Sequence, residues 1–303
     1  METTYSPLIT KEDLKIFKGK YFLPWLSSSS SSINKSQDSI ENKEKQTVVT
    51  NTGTGNKVVV FDLDETIGSF TELYIMWCGI RHATNSINVF NQLCELYPEF
   101  FRFGIITILE YLYAKKLQKE CHQIFIYTNN QCPGKWVSLI GNYLDEKVRS
   151  SYKRKPRQPL FDKIIGAFRI NNKPIELCRT SHSKKMDDFL RCTLISEQAD
   201  ICFIDDVHYP AMKGAKVYYI CPRPYIHHLS GSRIIKRLIK EEWVPPGLLR
   251  CPSFWKDWFS VHQYKNKMSK KTNRKDKNEI MLDLQISHKM IYHLKEFMMF
   301  GKK

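Results

Sequence analysis

Asp62 and Asp64 stand two residues apart at the end of an apolar run, Val58-Val59-Val60-Phe61. In an extended chain, side chains two apart project to the same side. Two carboxylates that close repel each other unless a cation or a proton intervenes. A hard divalent ion relieves the repulsion, and Mg²⁺, which takes oxygen ligands and keeps several waters, suits the pair best. Asp205 and Asp206 close a second apolar run, Ile201-Cys202-Phe203-Ile204, and can supply further oxygens. A phosphoryl group can complete the coordination. A third run, Gln123-Ile124-Phe125-Ile126-Tyr127, ends at the hydroxyl of Thr128. Strand-end aspartates and threonines also serve as turn caps. The case for chemistry is therefore the coincidence of three polar strand ends, not any one of them.

The elements that would position these groups follow from periodicity. Continuous apolar runs of four to eight residues read as buried strands. Two more follow the three above, over 163–168 and 216–220. Between them apolar residues recur at helical spacing: Ile105, Ile108, Leu109, Leu112 and Tyr113; Trp136, Leu139, Ile140 and Tyr143; Met186, Phe189 and Leu190. Strands alternating with helices predict an α/β fold with a mostly parallel sheet and helices on both faces. Ligands of such sheets bind beyond the carboxyl ends of the strands, where the polar residues lie. Asn171-Asn172-Lys173-Pro174 predicts a hairpin, and Ile280 to Phe300 an amphipathic helix.

With these elements in place, the residues match a family pattern. Phe61-Asp62-Leu63-Asp64-Glu65-Thr66 resembles the DxDxT signature of the haloacid dehalogenase superfamily. Its form here, DLDET, is similar to that of the RNA polymerase II carboxyl-terminal-domain phosphatases and nuclear LIM interactor-interacting factor-like phosphatases. Thr128 resembles the second motif and Ile204-Asp205-Asp206 the acidic fourth. The third motif, a lysine before that acidic strand, fits Lys184 or Lys185, with Lys184 in Ser181-His182-Ser183-Lys184 preferred. Arg102-Phe103-Gly104 resembles the branch's Arg-Pro-Gly. The resemblance spans about 57–225 and implies a Rossmann-like fold. It also implies a mechanism: Asp62 as the nucleophile that forms an aspartyl-phosphate, and Asp64 as general acid and then general base. Thr128 would hold phosphoryl oxygens and Lys184 would offset charge at the nucleophile. Mg²⁺ would sit among Asp62, Asp64, Asp205 and Asp206, with Asp206 a direct ligand, and Thr66 would fix the loop. One departure is Asn129-Asn130 after Thr128, where the small phosphatases carry smaller residues.

Many relatives insert a separate cap domain over the site. Here 67–101 is only 35 residues long, and 129–183 is already occupied by a helix, a strand and the hairpin. No large cap domain is expected, and an open site suits a macromolecular substrate. The expected activity is a Mg²⁺-dependent phosphoserine/phosphothreonine protein phosphatase. Two alternatives remain open: a nucleic-acid 3′-phosphate phosphatase and a catalytically inactive phosphopeptide-binding scaffold.

Composition bounds these readings. The chain has 303 residues, 42% of them hydrophobic, and a formal net charge of +16. A wholly disordered chain is thereby excluded, and anionic partners are favoured: a phosphorylated protein or, through the basic surface, nucleic acid. The excess gathers in Arg149, Lys153, Arg154, Lys155 and Arg157, and in the stretch from Val261 on, where eleven Lys/Arg oppose four Asp/Glu. Nine cysteines without a CxxC pair predict reduced thiols, hence a cytoplasmic or nuclear setting. No apolar stretch is long enough to span a membrane, and the first residues carry no signal-peptide pattern. The organisation expected is an amino-terminal segment (1–26), a serine-rich flexible linker (27–56), the phosphatase domain (57–250) and a basic extension with a terminal helix (251–303).

Overall fold

A computed structural model of the chain describes residues 56–83, 89–133, 135–265, 275 and 277–301. The amino-terminal segment and nearly all of the linker lie outside the described residues. Five parallel strands form one sheet in the order β3-β2-β1-β6-β7. These are β1 (Lys57–Phe61), β2 (Gln123–Tyr127), β3 (Lys163–Ile165), β6 (Asp200–Ile204) and β7 (Val217–Ile220). The expected α/β class with helices flanking a parallel sheet is what forms. β1 is central and buried on both faces, which is why it reads as an unbroken apolar run rather than an alternating one.

Alternate residues divide between the two faces. Val58, Val60, Phe125, Tyr127 and Phe203 share one core with Phe189 and Cys192 of the helix α5 (Met186–Thr193). On the other side, Gly141 of α4 (Trp136–Arg149) comes up against Ile126 and Ile164. The helices α3 (Ile105–Leu117) and α8 (Lys277–Phe300) pack against each other, and α8 also meets β7.

The chain fills β1, β2 and β3 outward on one side, then returns to lay β6 and β7 on the other. The crevice between β1 and β6, at their carboxyl ends, is thus the topological switch point where ligands of such sheets bind. Register puts Phe61 beside Ile204, so the next residues, Asp62 and Asp205, begin that crevice together.

The described residues of both long insertions lie in the layers around the sheet. The first supplies α1 (Thr71–Ala83) and α2 (Phe90–Leu96), joined to α4 by edge-to-face rings: Tyr74 and Phe90 each meet Trp136, and Trp77 meets Phe90. The second supplies α4, β3 and the small hairpin of β4 (Arg169–Ile170) and β5 (Lys173–Pro174). Asn171 and Asn172 both take positive φ there, as a two-residue hairpin turn requires. β3 stops at Ile165, short of the expected 168, because the next amide, that of Gly166, donates to the Glu176 carboxylate.

Beyond β7 come α6 (Gly231–Leu238), α7 (Pro252–Lys265) and α8. α7 seats on α1, where Trp258 Nε1 donates to the Ile75 carbonyl over 2.9 Å. Gly79 makes this approach possible, since a Cβ there would lie 2.6 Å from the Trp255 ring. Gly79→Ala should therefore lower stability by about 1–3 kcal/mol through overpacking, read as a fall in the chemical-denaturation midpoint. Among the described residues no helix is long and apolar enough to cross a membrane.

One expectation is corrected. Cys178 and Cys192 are joined in a disulfide, with Cα atoms 5.1 Å apart, where reduced thiols were expected throughout. The two are 14 residues apart in sequence. They meet because α5 carries Cys192 back beside the segment that precedes it.

Candidate active site

Each aspartate of the site sits where a strand gives out. Asp62 continues from β1, its amide donating to the Ile204 carbonyl over 2.8 Å, and Asp205 continues from β6, its amide donating to the Ile220 carbonyl over 3.1 Å. Their carboxylates converge with that of Asp206, and all three offer oxygens within 4.8 Å of one another. Asp62 and Asp205 are buried; Asp206 is half-buried.

The lysine that balances them is Lys184. Its Nζ donates to Asp62 Oδ1 and, over 2.6 Å, to Asp205 Oδ2. Only 1% of the residue is exposed. Burial alone would discharge the ammonium, but Asp62 and Asp205 outweigh it and hold the Lys184 pKa above its ordinary value. Lys185, the other residue left open by the sequence, instead starts α5 and gives its backbone N–H to the Tyr127 hydroxyl. Burial pushes the Asp205 carboxyl upward against the pull of Lys184. Burial and Asp62 likewise raise Asp206, against a hydrogen bond from Thr66.

Asp64 lies at the mouth. Burial lifts its pKa to about 6, the Asn130 hydrogen bond opposes this and the Asp62 charge adds to it. A group so placed can hold a proton or release it near neutrality. The turn after it is strained: Glu65 takes φ 60°, an uncommon conformation for a residue with a side chain. Three hydrogen bonds hold it there. The Glu65 carbonyl accepts from Arg102 Nη2 and from the Tyr225 amide, and the Glu65 amide donates to the Gly68 carbonyl. Arg102 Nε also donates to the Thr66 carbonyl over 2.6 Å. Strain so over-determined is typical of functional loops. Thr66 ties the first loop to the last: its hydroxyl donates to Asp206 Oδ1 over 2.9 Å and accepts from the Asp206 amide over 3.0 Å.

Thr128 follows β2, fully buried, with its hydroxyl accepting the Asn130 amide over 3.0 Å. This Thr turn aims Asn130 at the site, where Nδ2 donates to Asp64 Oδ2 over 2.8 Å. Arg179 braces the same loop. It donates to the carbonyls of Thr128 and Gly166 and to Asn129 Oδ1, and its guanidinium lies over the Tyr127 ring.

Of the residues singled out from the sequence, Asp62, Asp205, Asp206 and Lys184 meet directly, while Asp64 is held by Asn130, whose backbone amide the Thr128 hydroxyl accepts. Sequence reasoning missed Asn130 and Arg179 as positioning groups. For Asn130 the signal was its departure, with Asn129, from the smaller residues expected after Thr128, which did not point to Asp64. Arg179 follows a cysteine in a segment without periodicity and gave none. The basic run does not line this site. It leaves the end of α4 and leads into the start of β3, at the amino end of the sheet, while the carboxylates lie at the carboxyl end.

Three clustered carboxylates facing one ammonium leave an excess of negative charge, and all their donor atoms are oxygens. This donor set fits a hard divalent cation. No protein-family model, curated protein or solved structure matches this chain.

Proposed function

We propose that the protein is a Mg²⁺-dependent phosphatase of the haloacid dehalogenase type that removes phosphate from serine or threonine side chains of proteins. One observation supports this above the others. A buried aspartate, salt-bridged on one oxygen, shares a 4.8 Å cluster with two further carboxylates beside a half-buried acid whose pKa is about 6.

Asp62, Asp205 and Asp206 would hold the cation, with the chain around Asp64 close by. When bound, Mg²⁺ supplies positive charge that offsets the phosphoryl oxygens. The residues do the rest. Lys184 occupies Asp62 Oδ1, so Oδ2 attacks phosphorus. The Asp62–phosphorus bond forms as the ester P–O bond breaks, and protonated Asp64 gives its proton to the leaving serine oxygen. Asp64, now a carboxylate, takes a proton from water, and the water oxygen displaces Asp62 and releases inorganic phosphate. Asn130 steers Asp64 through both halves. The Lys184 ammonium stabilises the equatorial charge, and Thr128 fixes the turn that carries Asn130, its hydroxyl accepting the Asn130 N–H. The protein substrate is inferred from the absence of a separate cap layer among the described residues.

Phosphate release from a phosphoserine peptide panel and from p-nitrophenyl phosphate, with Mg²⁺ and then with EDTA, tests the reading. No release from either in Mg²⁺ would sink it. Cation binding is read separately. At a hundredfold excess over its dissociation constant, Mg²⁺ should stabilise the native chain by about 2.7 kcal/mol. Asp206→Asn should lose most of that gain in a thermal melt, because it removes one of the three converging carboxylates.

A further inference from the structure

A groove of about 610 Å³ lies outside the carboxylate cluster, between β7 and α8. Its lining identifies what it exposes. All four residues of β7, Val217 to Ile220, border it, together with Cys221, Pro222 and Arg223. A cavity on a sheet face would touch every second residue, because successive side chains point to opposite faces. Contact with consecutive residues places the groove along the strand's edge, where backbone groups lie. That edge is unpaired: β6 is the only neighbour of β7 among the described strands. The Lys216 and Ile220 carbonyls accept from β6 and its continuation. By the alternation of a parallel ladder, the Tyr219 N–H and C=O therefore point outward, into the groove.

The far wall is one stripe of α8, with Ile286, Lys289, Met290, His293 and Glu296 at helical spacing. α8 runs against the strands. Lys57 Nζ reaches the Met298 carbonyl at the amino end of the sheet. Asp283, near the start of α8, pairs with Lys275, which overlies the Tyr225 ring. The groove therefore runs from the amino end of the sheet to Cys221, Pro222 and Arg223, on the side where the candidate active site lies. There the Cys221 thiol donates to the Asp206 carbonyl, and the Tyr225 amide donates to Glu65. Its charge is graded: Arg223 and the exposed Lys289 lie toward the site, Glu296 toward the other end.

We infer that this groove binds an extended segment of the phosphoprotein substrate by strand addition to β7, with acidic residues beside the phosphoserine; the inference rests on the phosphatase reading. Main-chain hydrogen bonds to the β7 edge would give affinity independent of sequence, and the α8 stripe would choose side chains at alternate positions. The contact of the lining residue Cys221 with Asp206 and the basic residues at that end select this occupant.

Binding of a fluorescein-labelled phosphoserine peptide, with valines and with glutamates beside the phosphoserine, tests it by anisotropy in EDTA, where turnover is not needed. Lys289→Glu, at an exposed position, and Ile286→Asp should each weaken binding about tenfold. N-methylation of alternate peptide amides should abolish binding in one register and spare it in the other, which requires no folded variant. Unchanged affinity in Lys289→Glu with equal loss in both registers would overturn the inference. So would displacement of the peptide by a single-stranded oligonucleotide whose own binding shows the Lys289→Glu loss. p-Nitrophenyl phosphate turnover in Mg²⁺ separates the two readings. If it is absent while register-dependent peptide binding persists, the phosphatase reading fails and the docking groove stands.

Discussion

Asp62→Asn is expected to abolish phosphate release while leaving the fold intact. Asparagine keeps the shape of the side chain but is too weak a nucleophile to form the phosphoenzyme, so the loss should be on the order of a thousandfold or more. Stability should change little, and the reason is local. In the native chain the Lys184 ammonium faces two buried carboxylates, those of Asp62 and Asp205. Removing one leaves a single matched pair, and the new amide oxygen can still accept from Nζ. A shift within about 1 kcal/mol in chemical denaturation is expected. The combination discriminates. An inactive scaffold would show no turnover in the parent chain to lose, and a structural role for Asp62 would show as a large stability change. Full turnover in the variant would end the assignment of the nucleophile.

Why Asp62 could be read from the sequence and Arg179 could not has a physical basis. β1, β2 and β6 lie at or beside the centre of the sheet, buried on both faces, so their sequences carry unbroken apolar runs. The polar residue that ends such a run must lie at the carboxyl edge, and parallel strands bring all those edges to one place. Asp62, Thr128 and Asp205 are thus placed together by topology alone. Asn171-Asn172 announced its hairpin for an equally local reason, since both residues tolerate positive φ. Lys184 was less legible, because it reaches the carboxylates from a loop whose path no periodicity constrains. Only its side-chain contacts set it apart from Lys185. Asn130 and Arg179 act on partners 66 and 51 residues away, and nothing in their own neighbourhood encodes those contacts. The disulfide was missed for the same reason. Cys178 and Cys192 carry no spacing motif, and their pairing is decided by the return of α5. The β7 groove escaped too, because an edge strand and a central strand can share the same apolar run.

Lys184→Met carries the other large expectation, in stability as well as activity. Methionine fills most of the lysine stem's volume but leaves Asp62 and Asp205 buried without their counter-charge. Breaking a buried pair by removing one partner costs about 3–5 kcal/mol. The pH dependence gives the sign. In the parent, the raised Lys184 pKa keeps its contribution present below the ordinary lysine value, and it is lost only as pH climbs through the folded one. In the variant the carboxylates dominate. A buried carboxyl whose folded pKa lies above its unfolded value binds more protons when folded, so stability falls as pH rises through that interval. The deficit of Lys184→Met should therefore be largest at mildly alkaline pH and shrink on acidification as Asp205, whose carboxyl pKa burial raises, takes up a proton. Mg²⁺ should narrow it as well, since a cation among the same oxygens replaces part of the missing charge. Lys185→Met, whose side chain makes neither bond, should stay within about 0.5 kcal/mol of the parent at every pH. Equal deficits in the two variants, or a Lys184→Met deficit that grows as pH falls, would show that the ammonium is not what holds these carboxylates together.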